Sequence, residues 1–403
     1  MRRRAFLIGV VKSLRPGMDL HGGFSRRAES YRLFGPRESG AMWRFNSCKI
    51  AIDLVAAHLE TGLISASYMA PIRTIAGWLP GVRSAGFECR LGDPTARADF
   101  CVRFARYNAE ARNELLEALS GPSFPRDVDA HPTWQRVRAF ATEWARPDSL
   151  LVQWLQAVWL EFDIMDPHAQ DHAPSLFIPI RPEAASSGAP ARSVDARRYA
   201  EVAGEVLAAC GLEAGDAVRS NLTRCLDVLA RAARFFQFGI WLARPTAAVR
   251  VEAVGLSIAE ANNAFRSLGC RDLGPGWSDF LDPGDEVAVA FDVAEEIGPT
   301  IGVECFLPHN AQSSRPGARP DRSPIWHTGK RLLDGLVERG WCLSTKRDAL
   351  LAWPGVSRLR QPADGGGEIE HVVRRDFSHL KVVFRPEEAP EAKFYLGYFY
   401  SNG

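Results

Sequence analysis

From residue 158 onward the chain returns repeatedly to one pattern. Two short runs of alternating apolar and polar residues flank a turn or loop, and a helical stretch follows. Runs at 158–164 and 175–180 form the first such pair, 238–244 and 249–256 the second, 287–293 and 301–307 the third, and 379–385 and 393–400 the last. Strict alternation is the signature of a strand with two different faces. Between the pairs, apolar residues recur at helical spacing over 196–210, 216–235, 258–268 and within 325–353. Ser257 followed by Glu260 is a capping box that fixes the start of the third of these helices. No clear period of fixed length repeats, so a solenoid or propeller is not indicated. The fold class is therefore α+β, with antiparallel strand pairs alternating with helices. Two architectures satisfy it: an open sheet with helices on one face, or a closed barrel with helices outside.

Side chains alternate across a strand. In the first strand Val158, Leu160, Phe162 and Ile164 share one face, and Trp159, Glu161 and Asp163 share the other. The same division sets Val249, Val251 and Ala253 against Arg250 and Glu252, and Val303, Cys305 and Leu307 against Glu304 and Phe306. In the last pair it sets Leu380, Val382 and Phe384 against His379, Lys381 and Arg385, and Phe394, Leu396 and Tyr398 against Lys393 and Tyr395. A solvated sheet face explains the charges. The aromatics among them, and the scarcity of Thr, fit an enclosed lumen better.

The remainder of the chain is less patterned. Residues 1–44 read as a loose basic leader; 45–150 as a helical N-terminal region, with helices over 45–62, 96–119 and 132–144; and 151–403 as the strand-pair domain. The opening Met1-Arg2-Arg3-Arg4 resembles a twin-arginine start, but its apolar run stops before Lys12, too short for a signal segment. Net charge is +1 over 403 residues, which gives no global field toward nucleic acid or an anionic membrane. No apolar stretch reaches the ~18 residues of a membrane span. Eight cysteines, none in a CxxC pair, read as reduced core residues of a cytosolic protein.

Familiar catalytic signatures are missing: no HExxH, GxSxG or P-loop occurs, and Gly365-Gly366-Gly367 is not followed by Lys-Ser/Thr. Asp166, His168, Asp171 and His172 cluster between the first two strands. They have the chemistry of metal ligands, but read first as a solvated loop. Trp326 and Trp341 are expected to pack helices on the sheet.

On the first pair, Trp159-Leu160-Glu161-Phe162-Asp163-Ile164 and Ser175-Leu176-Phe177-Ile178-Pro179-Ile180-Arg181-Pro182-Glu183, the chain resembles the ABBA-type aromatic prenyltransferases. Lys381, Arg385, Lys393, Tyr395 and Tyr398 of the last pair resemble that family's basic and tyrosine-bearing strands. The resemblance spans about residues 155–400 and implies a barrel of strand pairs with the reaction inside it. The family carries five pairs, so closure requires a fifth, expected within 63–90 around Leu63 to Tyr68. The resemblance implies an allylic diphosphate among Arg250, Lys381 and Lys393 with Tyr395 shielding it. It implies Glu161 as the catalytic acid–base, with Trp159, Asp163, Glu304, Phe306 and Arg385 completing the substrate site. No cofactor is implied beyond Mg2+ accompanying the diphosphate.

Two functions follow from different classes. One is a prenyltransferase-like enzyme of natural-product biosynthesis, moving an allylic group to an aromatic or peptide acceptor. The other is a non-catalytic peptide-binding or maturation partner in a modified-peptide pathway, with the charged strand faces as its docking surface. They part on one point: transfer requires those faces to be enclosed and Glu161, Lys381, Lys393 and Tyr395 to converge.

Overall fold

The computed structural model describes residues 48–105, 113–169, 172–180, 195–244, 246, 248–273, 281, 285–307, 324–362 and 368–402. The leader expected over 1–44, and the glycines at 365–367, lie outside them. The strands are β1 (Ser84–Arg90), β2 (Ala98–Ala105), β3 (Ala157–Phe162), β4 (Ser175–Ile180), β5 (Phe235–Ile240), β6 (Val249–Leu256), β7 (Val287–Val293), β8 (Ile297–Phe306), β9 (Gly355–Pro362), β10 (Glu368–Phe384) and β11 (Glu391–Asn402). β1 to β8 pair in order, β8 pairs with β10, β10 with β11, and β11 returns to β1. All these pairings are antiparallel. The ring is thus a closed ten-stranded barrel built of five strand pairs, the architecture that the sequence resemblance implies. β9 stands outside the ring, paired with the first half of β10.

The fifth pair is β1 with β2: β1 falls within the expected 63–90 but at its far end, not around Leu63 to Tyr68, and β2 lies beyond it. Residues 66–78 are helical, not a strand. The helix expected over 96–119 divides into β2 and a short helix, Glu114–Ser120. Phe100 and Phe104 have helical spacing, but Phe100, Val102 and Phe104 also alternate with Asp99, Cys101 and Arg103, and the sheet decides between the two periods. The expected boundary at residue 150 is no division of the sheet, because β2 pairs with β3 across it. Likewise the last pair begins earlier than expected: β10 runs from Glu368, and β9 was not expected at all.

Helices fill the connections and cover the outer wall. They include α1 (Cys48–Ala56), α2 (Ala66–Trp78), α3 (Glu114–Ser120), α4 (Arg126–Asp129), α5 (Pro132–Ala145), α6 (Leu150–Trp154), α7 (Ala196–Ala209), α8 (Asp216–Leu229), α9 (Ile258–Leu268), α10 (Pro324–Glu338) and α11 (Ser344–Leu351). Their starts are written locally. Asn113, Ser149 and Asp195 accept backbone N–H bonds at the starts of α3, α6 and α7, and Ser257 with Glu260 closes the capping box of α9. None of the described helices is long and apolar enough to cross a membrane.

Between helices and barrel lies the main core. Val158, Leu160, Leu176, Ile178, Val251, Val289, Val303, Leu380, Val382 and Leu396 are all buried on the outer face of the wall. Cys305 is there too, as expected of a core thiol. Trp353 seals the layer near the seam. Its ring meets Phe87 edge-on at 6.0 Å, and its Nε1 donates to the Asp376 carbonyl at 3.0 Å. Tyr398, on the face of Phe394 and Leu396 by alternation, faces this outer layer, packed on Phe87 with its hydroxyl 3.7 Å from Cys48 Sγ. Trp326 and Trp341 pack as expected, Trp326 donating to Leu351 O at 3.2 Å and Trp341 edge-on to Phe384.

The closing seam is narrow. Gly86 of β1 lies opposite Gly397 of β11, and a Cβ on Gly86 would stand 2.5 Å from the Leu396 carbonyl oxygen. That neighbour is backbone, so relief requires moving β11. Gly204 in the middle of α7 has nothing within 4 Å of a Cβ. Gly86→Ala is therefore expected to lower stability by about 1–3 kcal/mol, and Gly204→Ala to raise it by roughly 0.5–1 kcal/mol. Urea unfolding of both variants beside the parent checks the pair.

Candidate functional site: the barrel lumen

Closure turns the second face of every barrel strand inward. The lumen is graded along its axis. Phe235, Val254 and Ala288 are buried together with Phe306 packed on them, forming an apolar layer at one end. The middle holds a cavity lined by Trp159, Glu161, Phe177, Glu252, Glu304, Phe306, His379, Lys381 and Tyr395, among others. The other end is a belt of ion pairs around Trp241. Arg250 grips Asp292 with two bonds of 3.0 Å, Trp241 Nε1 donates to Asp292 at 3.1 Å, and Arg244 donates to Asp163 at 2.8 Å. The guanidinium carbons of Arg244 and Arg250 lie 3.9 and 4.5 Å from the centroid of the Trp241 ring.

Glycines make room for these groups. A Cβ on Gly239 would lie 2.8 Å from the Phe177 ring and 2.9 Å from Arg250 Cβ, and one on Gly302 would lie 3.0 Å from Lys381 Cε. A bulge in β10 between Phe377 and His379 shifts the register against β11. It brings both Ser378 and His379 to the cavity, with the Ser378 hydroxyl 2.9 Å from His379 Nδ1.

The charges are paired across strands. Lys381 reaches Glu304 at 2.6 Å, and Lys393 reaches Glu88 at 2.6 Å. Tyr395 also donates to Glu88. Arg90 bonds Asp99 at 2.8 Å, and Asp99 accepts from the Ile164 N–H at 2.9 Å. Glu88, Glu304 and Lys381 are only 4, 3 and 5% exposed, so each pair must offset a large desolvation cost. Burial alone would raise Glu88, but Lys393, Lys381 and Arg90 outweigh it and hold the carboxyl well below its ordinary range. Glu304 is lowered in the same way, against burial, by Lys381 and His379. Burial, the largest cause, takes His379 down to about 4, so the ring is neutral near neutrality. Its Nε2 lies 3.4 Å from Glu304. A carboxylate there requires the proton on Nε2, which leaves Nδ1 to accept from Ser378. The ring stacks on Tyr395 at 3.9 Å and 19°.

Two acids stand apart from these pairs. Glu161 and Glu252 are both pushed up to about 8. Burial is the largest cause for each. Glu88 and Asp163 add to it at Glu161, and Glu304 at Glu252. Glu161 keeps contact with the cavity's own space while the barrel wall surrounds it. Such values suit proton transfer near neutrality.

The expected site is thus partly assembled and partly redistributed. Trp159, Glu161, Glu304, Phe306, Lys381 and Tyr395 line the one cavity. Lys393 stands behind it on Glu88. Arg250 and Asp163 belong to the ion-pair belt and do not line it. Arg385 lies beyond the end of β10, about a third exposed, and bonds Glu391 at 2.9 Å, so it is a rim residue. Glu88, which ties Lys393 to Tyr395, went unread because it sits in β1, inside a segment with no clear period. Its signal was Glu88 alternating with Phe87 and Cys89. Among the described residues no group of three or more His, Cys, Asp and Glu side chains is arranged for a metal. Asp166 instead accepts the His168 backbone N–H at 2.9 Å, the His172 ring lies 6.3 Å from Trp78, and Asp171 lies outside the described residues.

No family model matches the chain. No curated protein is similar to it at a significant level. Among solved structures, similarity is found to the prenyltransferase PriB. The binary complex with product diphosphate gives a TM-score of 0.44 at 14% identity, covering 86% of this chain and 95% of that one. The apo form gives 0.42 at 13% identity, covering 86% and 94%.

The raised acids set a pH dependence. Unfolded, Glu161 and Glu252 titrate near 4.5; folded, near 8. Between those values the folded state holds the extra protons, so this contribution to stability is present below pH 4.5 and lost as pH rises through about 8. Glu161→Gln and Glu252→Gln remove it. Each variant is expected to gain Tm relative to the parent as pH increases from 5 to 8. Thermal unfolding across that range checks the sign, and a constant difference would contradict it.

Proposed function

We propose that the chain is a prenyltransferase-like enzyme that moves an allylic group from a diphosphate to an acceptor inside the lumen. One observation carries this reading: Glu161, Lys381 and Tyr395 converge on a single cavity within a closed barrel, with Lys393 directly behind Tyr395's partner Glu88. Enclosure removes support from the docking-surface alternative, because the charged strand faces point inward and are buried.

Each residue then has a chemical task. Lys381 and Lys393 meet the charge that develops on the departing diphosphate. Tyr395, Trp159, Phe177 and Phe306 present aromatic faces to the allylic cation and exclude water from it. Glu161, once ionised, accepts the proton that the acceptor releases as the new bond forms. The bond between the allylic carbon and the diphosphate oxygen breaks with its electron pair leaving on oxygen, and the acceptor supplies the pair for the new bond. Mg2+ belongs to the substrate as the ion that accompanies diphosphate, and no protein site is assigned to it. The free space is about 70 Å3, well below the ~300 Å3 of an ordinary ligand site. Substrate therefore enters by exchange, with diphosphate replacing Glu304 and Glu88 as partner of the lysines. The setting proposed is cytoplasmic natural-product biosynthesis, in keeping with eight free cysteines.

Incubation with dimethylallyl diphosphate and a panel of aromatic and peptide acceptors, read by mass, tests the reading. A product heavier by one dimethylallyl group is expected, together with a diphosphate-dependent rise in Tm. Lys381→Met should reduce turnover by about 10^2-fold or more, the scale for losing one preorganised charge contact. No product with any acceptor and no thermal response to diphosphate would sink the proposal.

A further inference from the structure

The pairing of charges in the lumen leaves a remainder. Lys381, Lys393, Arg90 and Arg250 each hold a carboxylate. Glu161 makes no hydrogen bond or ion pair among the described residues, though it lines the cavity. Glu252, 4% exposed, receives one bond, from Gln237 Nε2 at 3.0 Å. Directly across from Glu161 on the neighbouring strand stands Ser175, on the same face as the cavity-lining Phe177. Ser175 is 1% exposed, and its hydroxyl has no partner. A buried hydroxyl without a partner beside a carboxyl without a cation is half of a hydrogen-bonded site.

What would complete it is a donor with positive charge. The surrounding walls agree: Trp159, Phe177 and Tyr395 border the same space, and aromatic rings attract cations. So does the size. About 70 Å3 of free space corresponds to roughly two waters, room for a guanidinium or ammonium head beside the two acids.

We propose that the acceptor carries a positively charged nitrogen group, guanidinium or ammonium, which docks between Glu161, Glu252 and Ser175. This rests on the transfer reading of the same lumen and names the class of acceptor it takes. The charged groups facing Glu161 include the acids Glu88, Asp163, Asp99 and Glu252 and the cations Lys381 and Arg250, and those facing Glu252 include Glu304, Glu161, Lys381 and Arg250. The acids outnumber the cations around Glu161 and equal them around Glu252, and an incoming cation displaces protons from the two carboxyls into solvent.

The test is calorimetry without diphosphate, near pH 7, in two buffers of different ionisation enthalpy. The ligands are N-acetyl-arginine methylamide, its lysine counterpart, and the neutral citrulline counterpart. The arginine or lysine ligand is expected to bind at least about tenfold more tightly than citrulline, with protons released on binding. Which of the two binds better assigns guanidinium or ammonium. Glu161→Gln and Glu252→Gln should abolish both the preference and the proton release, while Ser175→Ala, a small change at a buried strand position, should weaken the cation alone. Citrulline binding as well as the cations, or no cation binding at all, would overturn the inference. A transfer product formed only with neutral aromatic acceptors would do the same while leaving the transfer reading standing. Cation binding with no transfer to any acceptor would do the reverse.

Discussion

Closure of the sheet between β1 and β11 is the constraint on which everything else in this molecule depends. An open antiparallel sheet can leave one face in water and carry charges on it at little cost. Once β11 returns to β1, that face is enclosed, and each charge on it must find a partner or lose its charge. Both outcomes are present. Lys381 with Glu304 and Lys393 with Glu88 keep their charges by pairing at 2.6 Å, whereas Glu161 and Glu252, without such cations, are driven toward the neutral form. The lumen's chemistry is thus a consequence of topology acting on an ordinary alternating sequence.

The seam itself is a compromise between approach and rigidity. Gly86 opposite Gly397 lets two strands meet where side chains would crowd, and the bulge in β10 accommodates the strand that is shared by β8, β9 and β11. The same bulge aims Ser378 and His379 at one cavity wall. His379 then supports Tyr395 by stacking and Glu304 from its Nε2 side. A feature needed for pairing also organises the site.

Much of this was legible in the sequence, for a physical reason. Alternation reports which side chains share a face, and β6 and β7 match their expected limits because Val249–Leu256 and Val287–Val293 alternate cleanly between turn residues. The inward set of Trp159, Glu161, Glu304, Phe306, Lys381 and Tyr395 follows from the same period. What alternation cannot report is which strand lies next to which. Glu88 and Lys393 are 305 residues apart, and no local pattern links them. Nor could local pattern separate β2 from a helix, since Phe100 and Phe104 satisfy both periods until β1 and β3 pair with the segment. Arg385 shows the converse failure: its parity is that of Lys381, but the strand ends at Phe384, and beyond a strand's end parity carries no meaning.

Electroneutrality links the two proposals. The ion pairs, Arg244 with Asp163 included, leave the lumen nearly balanced when Glu161 and Glu252 are neutral, so a diphosphate entering alone would add uncompensated negative charge in a place where desolvation is expensive. Displacing Glu304 and Glu88 from their lysines makes this worse, unless those acids take up protons or another cation arrives. A cationic acceptor supplies that charge at the wall opposite the lysines, on the acids that no lysine holds. The order of events follows: acceptor charge and diphosphate charge stabilise each other's presence, so each should bind more tightly in the presence of the other than alone. On the two proposals together, the lumen would take its substrates as a pair, the cationic acceptor held by the acids offsetting the charge that the anionic donor brings.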